Sequence, residues 1–256
     1  VILLLYISAH SCRPLNVLVH TVPRSVDFLC RPFAFNSYDC TKKHIQLKGG
    51  SQYMKIAPSL MNMGLLHVEE DIKQLDTYAD FYHADILDWH YVKNMCLSPQ
   101  VIKEIRKVTN RPIEAHLYVD NLEEDLIDYC LRCGADIITM PSDIVGRSIH
   151  RFGKLIHDHK AKVGVFLNPS QSVSEIQQYS DVLDQLILLS VDPGFSGQDF
   201  VKGTFKKIAD AKSLRDASSS RYMITVDGGC NQSNFKSLFD AGADALVLGR
   251  GLFERN

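Results

Sequence analysis

Nowhere does the 256-residue chain hold the ~18 consecutive apolar residues that a membrane-spanning helix needs. Its apolar opening, residues 1–8, has no basic residue before it and no clear small-residue cleavage site, so a secretory signal is not expected. An excess of charge of one sign is lacking as well. With 28 Lys and Arg against 30 Asp and Glu the formal charge is -2, which implies no broad basic surface and argues against nucleic acid or anionic membrane as the main partner. A disulfide framework is also missing, because seven cysteines, an odd number, are scattered without secreted-domain spacing. Cys130 and Cys133 have redox-motif spacing, but they close a helical pattern just before Gly134. A redox pair needs a helix N-terminus to stabilise its thiolate. The expectation is a cytoplasmic globular protein with neither a membrane nor a nucleic-acid partner.

Two segments differ in character. Residues 1–53 show no sustained period of 3.6 or 2 and scatter Cys, Pro, His and Arg. They are expected to be an extension outside the fold, disordered or foreign to the native protein. Translation starting at Met54 would explain the change, and peptides from 1–53 in mass spectra of the native protein would contradict it. From Met54 onward, short apolar runs alternate with helical patterns. Strands are expected at 55–60, 82–87, 113–119, 136–140, 162–167, 185–191, 222–226 and 245–248. Helical periodicity covers 65–78, 122–131 and 174–183. Gly-Ala-Asp occurs at 134–136 and 242–244, each time with glycine ending a helix and Asp leading into a strand. Eight strands alternating with helices point to a parallel (β/α)8 TIM barrel over 54–256, with an open doubly wound sheet as the competing architecture. Only eight residues follow Leu248, so a complete last helix is not expected.

Function in such a barrel collects at the C-terminal strand ends. There the sequence places Ser59 after strand 1, His83 and Asp85 on strand 2, His116 on strand 3 and Asp227 on strand 7. His83 and Asp85 are two apart, so they share one face of their strand. Imidazoles and carboxylates inside a barrel cost several kcal/mol unless paired or ligated. Two of each, converging, make a mixed N/O site suited to Zn, Mn, Fe or Co. Any one of these residues alone reads more simply as structural. Three glycine-rich turns, Gly194–Gly197, Gly228-Gly229 and Gly249, follow later strands, where backbone N–H groups of barrels bind phosphate.

These residues resemble the ribulose-phosphate 3-epimerase family. The carriers are KIAPSL (55–60), HADILDWHYVKN (83–94), EAHLYV (114–119), VDPGFSGQDF (191–200), VDGGCNQ (226–232) and AGADALVLG (241–249). SLMNM (59–63), VDPGF and GCNQ look closest to the allulose-6-phosphate 3-epimerase branch. The resemblance implies one divalent ion (Zn, Mn, Fe, Co or Mg) held by His83, Asp85, His116 and Asp227, with Asp85 and Asp227 as the acid–base pair. It implies substrate contacts from Ser59, His116, Gly194, Phe195, Ser196, Gly197, Asp227, Gly228, Gly229, Gly249 and Arg250. The expected reaction converts D-allulose 6-phosphate to D-fructose 6-phosphate. D-ribulose 5-phosphate to D-xylulose 5-phosphate, or weakly active sugar-phosphate binding, are the alternatives. The expected partners are a small phosphorylated ketose and further copies of the chain.

The family pattern is broken in several places. Trp89, the single tryptophan, and Lys93 stand where glycine and proline are usual, in a loop expected to cover the substrate. Glycine there can take a positive φ that tryptophan adopts only at a cost. Leu87, Tyr118 and Leu189 replace methionines lining the site, and Arg250 replaces a small Ser or Thr. A metal-free lyase would need a lysine at a strand end near the carboxylates, and strands 2 and 3 offer none.

Overall fold

A computed structural model describes residues 53–249 apart from 65 and 219, together with Leu252. The expectations for 1–52, for Arg250 and for the last helix lie outside the described residues. Within them, eight parallel strands form one sheet: β1 (Lys55–Pro58), β2 (Tyr82–Leu87), β3 (Ile113–Tyr118), β4 (Ile137–Pro141), β5 (Lys162–Leu167), β6 (Gln185–Leu189), β7 (Met223–Asp227) and β8 (Ala245–Leu248). The order is β1-β8-β7-β6-β5-β4-β3-β2. A parallel bridge between Ser59 and His83 joins β1 to β2, so the sheet curls round into a nearly closed barrel rather than an open doubly wound sheet. The helices are α1 (Val68–Leu75), α2 (Pro99–Ile105), α3 (Glu124–Arg132), α4 (Ser142–Val145), α5 (Ile149–Asp158), α6 (Thr204–Ala217) and α7 (Phe235–Ala241).

Local chemistry sets their ends. Helix α2 begins with Pro99, whose missing N–H costs nothing in the first turn. Helix α1 carries Glu69, Glu70 and Asp71 in its first turn, where the helix dipole favours negative charge. Helix α5 buries Ile149, Phe152 and Ile156 on one face. Each contributes ~1.5–3 kcal/mol by leaving water. The segment after β5 departs from the expected α-helix: Val173–Tyr179 is a 3-10 helix, opened by a capping box between Ser172 and Glu175.

The N-terminal rim of the barrel is fastened by a repeated aspartate. Asp80, Asp136, Asp184 and Asp244 precede β2, β4, β6 and β8. Each donates its backbone N–H to the carbonyl of a residue on the preceding odd strand, Ile56, Ile113, Val163 or Ile224, at 2.8–2.9 Å. The Oδ2 atom of each aspartate accepts the N–H of that same residue at 2.8–3.0 Å. The two Gly-Ala-Asp motifs are the visible half of this device. Gly134 and Gly242 turn the chain at φ +99° and +113° before their aspartates pair.

Alternation along the strands sends every second side chain inward. Above the rim, Ala57, Phe81, Ile137, Ala245 and Val247 make an apolar plug. Toward the C-terminal end, Leu87, Tyr118, Phe166, Ile187 and Leu189 make a second apolar group. Polar side chains stand inside the barrel as well, and Gly164 makes room for one of them. A Cβ at Gly164 would overlap Thr139 Oγ1. Gly164→Ala should therefore cost ~1–3 kcal/mol through overpacking. A lowered urea midpoint is the expected result, and an unchanged one would show that Thr139 can move aside.

Candidate active site

Four of the side chains singled out in the sequence meet at the C-terminal end of the barrel. One ligand atom from each of His83, Asp85, His116 and Asp227 lies within 4.8 Å of the others. Strand pairing explains the meeting. In the β2–β3 register His83 faces Glu114 and Asp85 faces His116, so all four point inward at two neighbouring levels. Asp227 arrives as the last residue of β7.

His83 is fully buried and held at both ring nitrogens. Its Nδ1 lies 2.7 Å from Glu114 Oε2, and its Nε2 lies 3.1 Å from Asp85 Oδ1 and 2.9 Å from His116 Nδ1. Asp227 Oδ2 is 3.6 Å from His83 Nε2 and 3.8 Å from His116 Nδ1. Ser59 Oγ donates to Asp85 Oδ2 at 2.9 Å. Burial alone would lower the pKa of His83, but Asp85 and Glu114 outweigh it and hold the imidazole well above its usual value. Burial, reinforced by His83, pushes His116 well below. Burial also works against ionised Asp85, yet His83 together with His116 and Ser59 brings that carboxyl below its ordinary range. Asp227 is pushed up to about 6 by burial and by the charges of Asp85 and Glu114, against the pull of His83.

The donor set fits a divalent ion. Two imidazole nitrogens and two carboxylates converge, and the Nδ1 of His83 is committed to a carboxylate. With an ion bound, that commitment would keep the proton on Nδ1 and leave Nε2 facing the cluster as the electron-pair donor. The carboxylate is Glu114, a residue that sequence reasoning missed. Glu114 is completely buried, and its Oε1 also accepts from Thr139 Oγ1 and Gln185 Nε2. The available signal was Glu114-x-His116, a charged residue on the same strand face as an expected ligand.

The cluster opens into a cavity of about 230 Å³. Ser59, Asp85, Asp227, the wall residues Leu87, Tyr118 and Leu189, and the turns Gly194–Gly197, Gly228-Gly229 and Gly249 all line it. His83 and His116 are fully buried and do not line it. Among the described residues no lysine or arginine lines the cavity, which offers an anion the backbone N–H groups of the glycine turns and neutral donors such as Asn62, Gln198 and Asn231. Gly228, at φ +104°, could not carry a Cβ without striking Val191. Phe195 lines the mouth while half exposed.

Trp89 adopts the expected positive φ, +69°, with its side chain half exposed. Such a backbone costs ~1–2 kcal/mol in an L-residue. Its loop is fastened from several sides. Asp88 accepts the N–H groups of His90, Tyr91 and Asp120, and Tyr91 Oη donates to Asp143. Asn94 Nδ2 donates to the carbonyl of Gly194 at 2.6 Å. The loop thus joins the β2 side of the cavity to the glycine turn after β6.

A sequence model of the ribulose-phosphate 3 epimerase family matches residues 55–253. Ribulose-phosphate 3-epimerase of Bacillus subtilis is 32 % identical over 202 residues, covering 78 % of this chain and 92 % of the relative. The Escherichia coli K12 protein of the same name is 34 % identical over 206 residues, covering 80 % and 90 %. Among solved structures, 3-hexulose-6-phosphate synthase from Salmonella typhimurium superposes with a TM-score of 0.59 at 16 % identity. It covers 77 % of this chain and 89 % of that one, a likeness of fold.

If Glu114 orients His83, Glu114→Gln should weaken Mn²⁺ or Zn²⁺ binding ~10–100-fold while the barrel stays folded. Titration calorimetry reads this directly, and an unchanged affinity would remove the role.

Proposed function

Because this chain belongs to the ribulose-phosphate 3-epimerase family, an isomerase family, we propose that it moves the C3 proton of a ketose phosphate from one face of the sugar to the other. The supporting observation is the pairing of Asp85 and Asp227 at the floor of a glycine-walled cavity, above two buried imidazoles. Removal of a proton beside a ketone leaves an enediolate, and inversion needs one proton-transfer group on each face. Asp85 comes from β2 and Asp227 from β7, separated across the Ser59–His83 closure by β1 and β8. Asp85 accepts the proton in one direction and Asp227 donates from the other side, and the roles swap in reverse. His83, Asp85, His116 and Asp227 would hold a divalent ion, which when bound would supply Lewis-acid stabilisation of the developing negative charge.

The glycine turns grip the phosphate through backbone N–H groups, an anchor far from C3 that orients the reacting carbon. Ser59 fixes one oxygen of Asp85 and leaves that side chain a single orientation. Ribulose 5-phosphate is the first substrate, because the relatives reported above are named ribulose-phosphate 3-epimerases. Allulose 6-phosphate is the second reading, supported by SLMNM at 59–63 and GCNQ at 229–232. The two ketoses differ by one carbon between the reacting centre and the phosphate.

Assays of both ketose phosphates, with and without a chelator, test the proposal. Activity should vanish on chelation and return with a divalent ion, and turnover surviving complete metal removal would overturn the metal assignment. Asp85→Asn and Asp227→Asn should each lower kcat by ~10²–10⁴ while the far-UV spectrum stays that of a folded barrel. A near-wild-type rate in either variant would remove that residue from the acid–base pair.

A further inference from the structure

Tyr118 occupies an unusual place in this site. It is the last residue of β3, only 4 % exposed, and its ring lies against His116 at 4.3 Å between centroids and against Phe166 at 5.0 Å. A buried phenol needs an acceptor for its O–H. Here the hydroxyl donates to Asp227 Oδ2 at 3.4 Å. The same oxygen is the one that faces His83 Nε2 and His116 Nδ1.

An aspartate carboxylate turns readily about its last side-chain bond, where the energy wells are broad and nearly two-fold. The Tyr118 hydroxyl restricts that freedom by hydrogen-bonding Oδ2, and the two imidazoles face the same oxygen from just beyond hydrogen-bond distance. They direct Oδ2 toward the imidazoles and leave Oδ1 as the oxygen free to face a bound molecule. Tyr118 is the only one of the three contributors that lines the cavity beside Asp227. Its ring is clamped between His116, Phe166 and Tyr91, so its hydroxyl is a fixed point rather than a swinging one.

We propose that Tyr118 is a positioning residue that sets the rotation of the Asp227 carboxylate, so that proton delivery at C3 proceeds from one face. The inference rests on the epimerase reading above and adds a residue to it. Loss of the hydroxyl would remove the hydrogen bond that Asp227 has beyond any bound ion and loosen that carboxylate, while Asp85 kept its Ser59 anchor. Asp85 would still take the C3 proton from the epimer it faces. With delivery from the opposite side impaired, a solvent-derived proton would return more often to the original face. Exchange without inversion would then rise relative to epimerisation.

Tyr118→Phe removes only the hydroxyl and keeps the ring contacts. In the full-length protein kcat should fall about tenfold with KM within about twofold, as expected for a slightly misplaced catalytic group. In D2O, starting from the epimer that faces Asp85, deuterium at C3 of unreacted substrate should increase relative to product. A kcat within twofold of wild type, a rise in KM alone, or an unchanged exchange-to-inversion ratio would each overturn the inference. Wild type inactive on both ketose phosphates would overturn the epimerase reading and this inference with it. Active wild type with an unaltered Tyr118→Phe variant would overturn the inference alone.

Discussion

The site depends on a carboxylate buried where water cannot reach it. Glu114 sits inside the barrel, and its two oxygens are shared among His83, Thr139 and Gln185, from β2, β4 and β6. A bare carboxylate at that depth would cost several kcal/mol. The cost is offset only because three strands each supply a donor at one level. Gly164 on β5 leaves Thr139 room to join them. His83 inherits its ring orientation from this arrangement, and Asp85, His116 and Asp227 gather around the nitrogen that Glu114 does not use. Removing one partner from such a network leaves others buried and unsatisfied, so the cluster stands or falls together.

The two ends of the barrel solve different problems. At the N-terminal rim, four aspartates clasp the backbone of four odd strands through paired hydrogen bonds, and an apolar plug lies above them. At the C-terminal end, the carboxylates point into a cavity and the turns are rich in glycine with positive φ. The rim holds register, which fixes which residues face inward, and the inward face then delivers His83, Asp85 and His116 to one point.

Much of this was legible from periodicity. The strands at 82–87, 162–167 and 245–248 coincide with the expected runs because each is a short apolar stretch bounded by turn residues. The shared face of His83 and Asp85 follows from a spacing of two. The 3-10 helix at 173–179 was less legible, because apolar residues three apart satisfy both helix types and only the hydrogen bonds separate them. Glu114 was hidden for another reason. Its spacing of two from His116 places it on the inward face, but no local pattern reports that Thr139 and Gln185, 25 and 71 residues away, supply its partners. The contact of Tyr118 with Asp227, 109 residues apart, was invisible in the same way. Trp89 was legible as strain because a tryptophan stood in a loop that the family resemblance assigns to glycine, and its φ of +69° bears that out.

Asp85 and Asp227 are the same residue type in the same cluster, yet their surroundings separate them. Asp85 is tied at one oxygen by Ser59 and at the other by His83, and both contacts favour its ionised form. Asp227 has no contact from Ser59, and its neighbours include the charges of Asp85 and Glu114. Two equal carboxylates side by side would compete for one proton without preference. Here Glu114 acts twice to break the tie. It raises the proton affinity of His83, which pairs more closely with Asp85 at 3.1 Å than with Asp227 at 3.6 Å. Its own charge adds to that of Asp85 in disfavouring a charge on Asp227. A residue that touches neither aspartate therefore helps set the two carboxylates apart in the metal-free site.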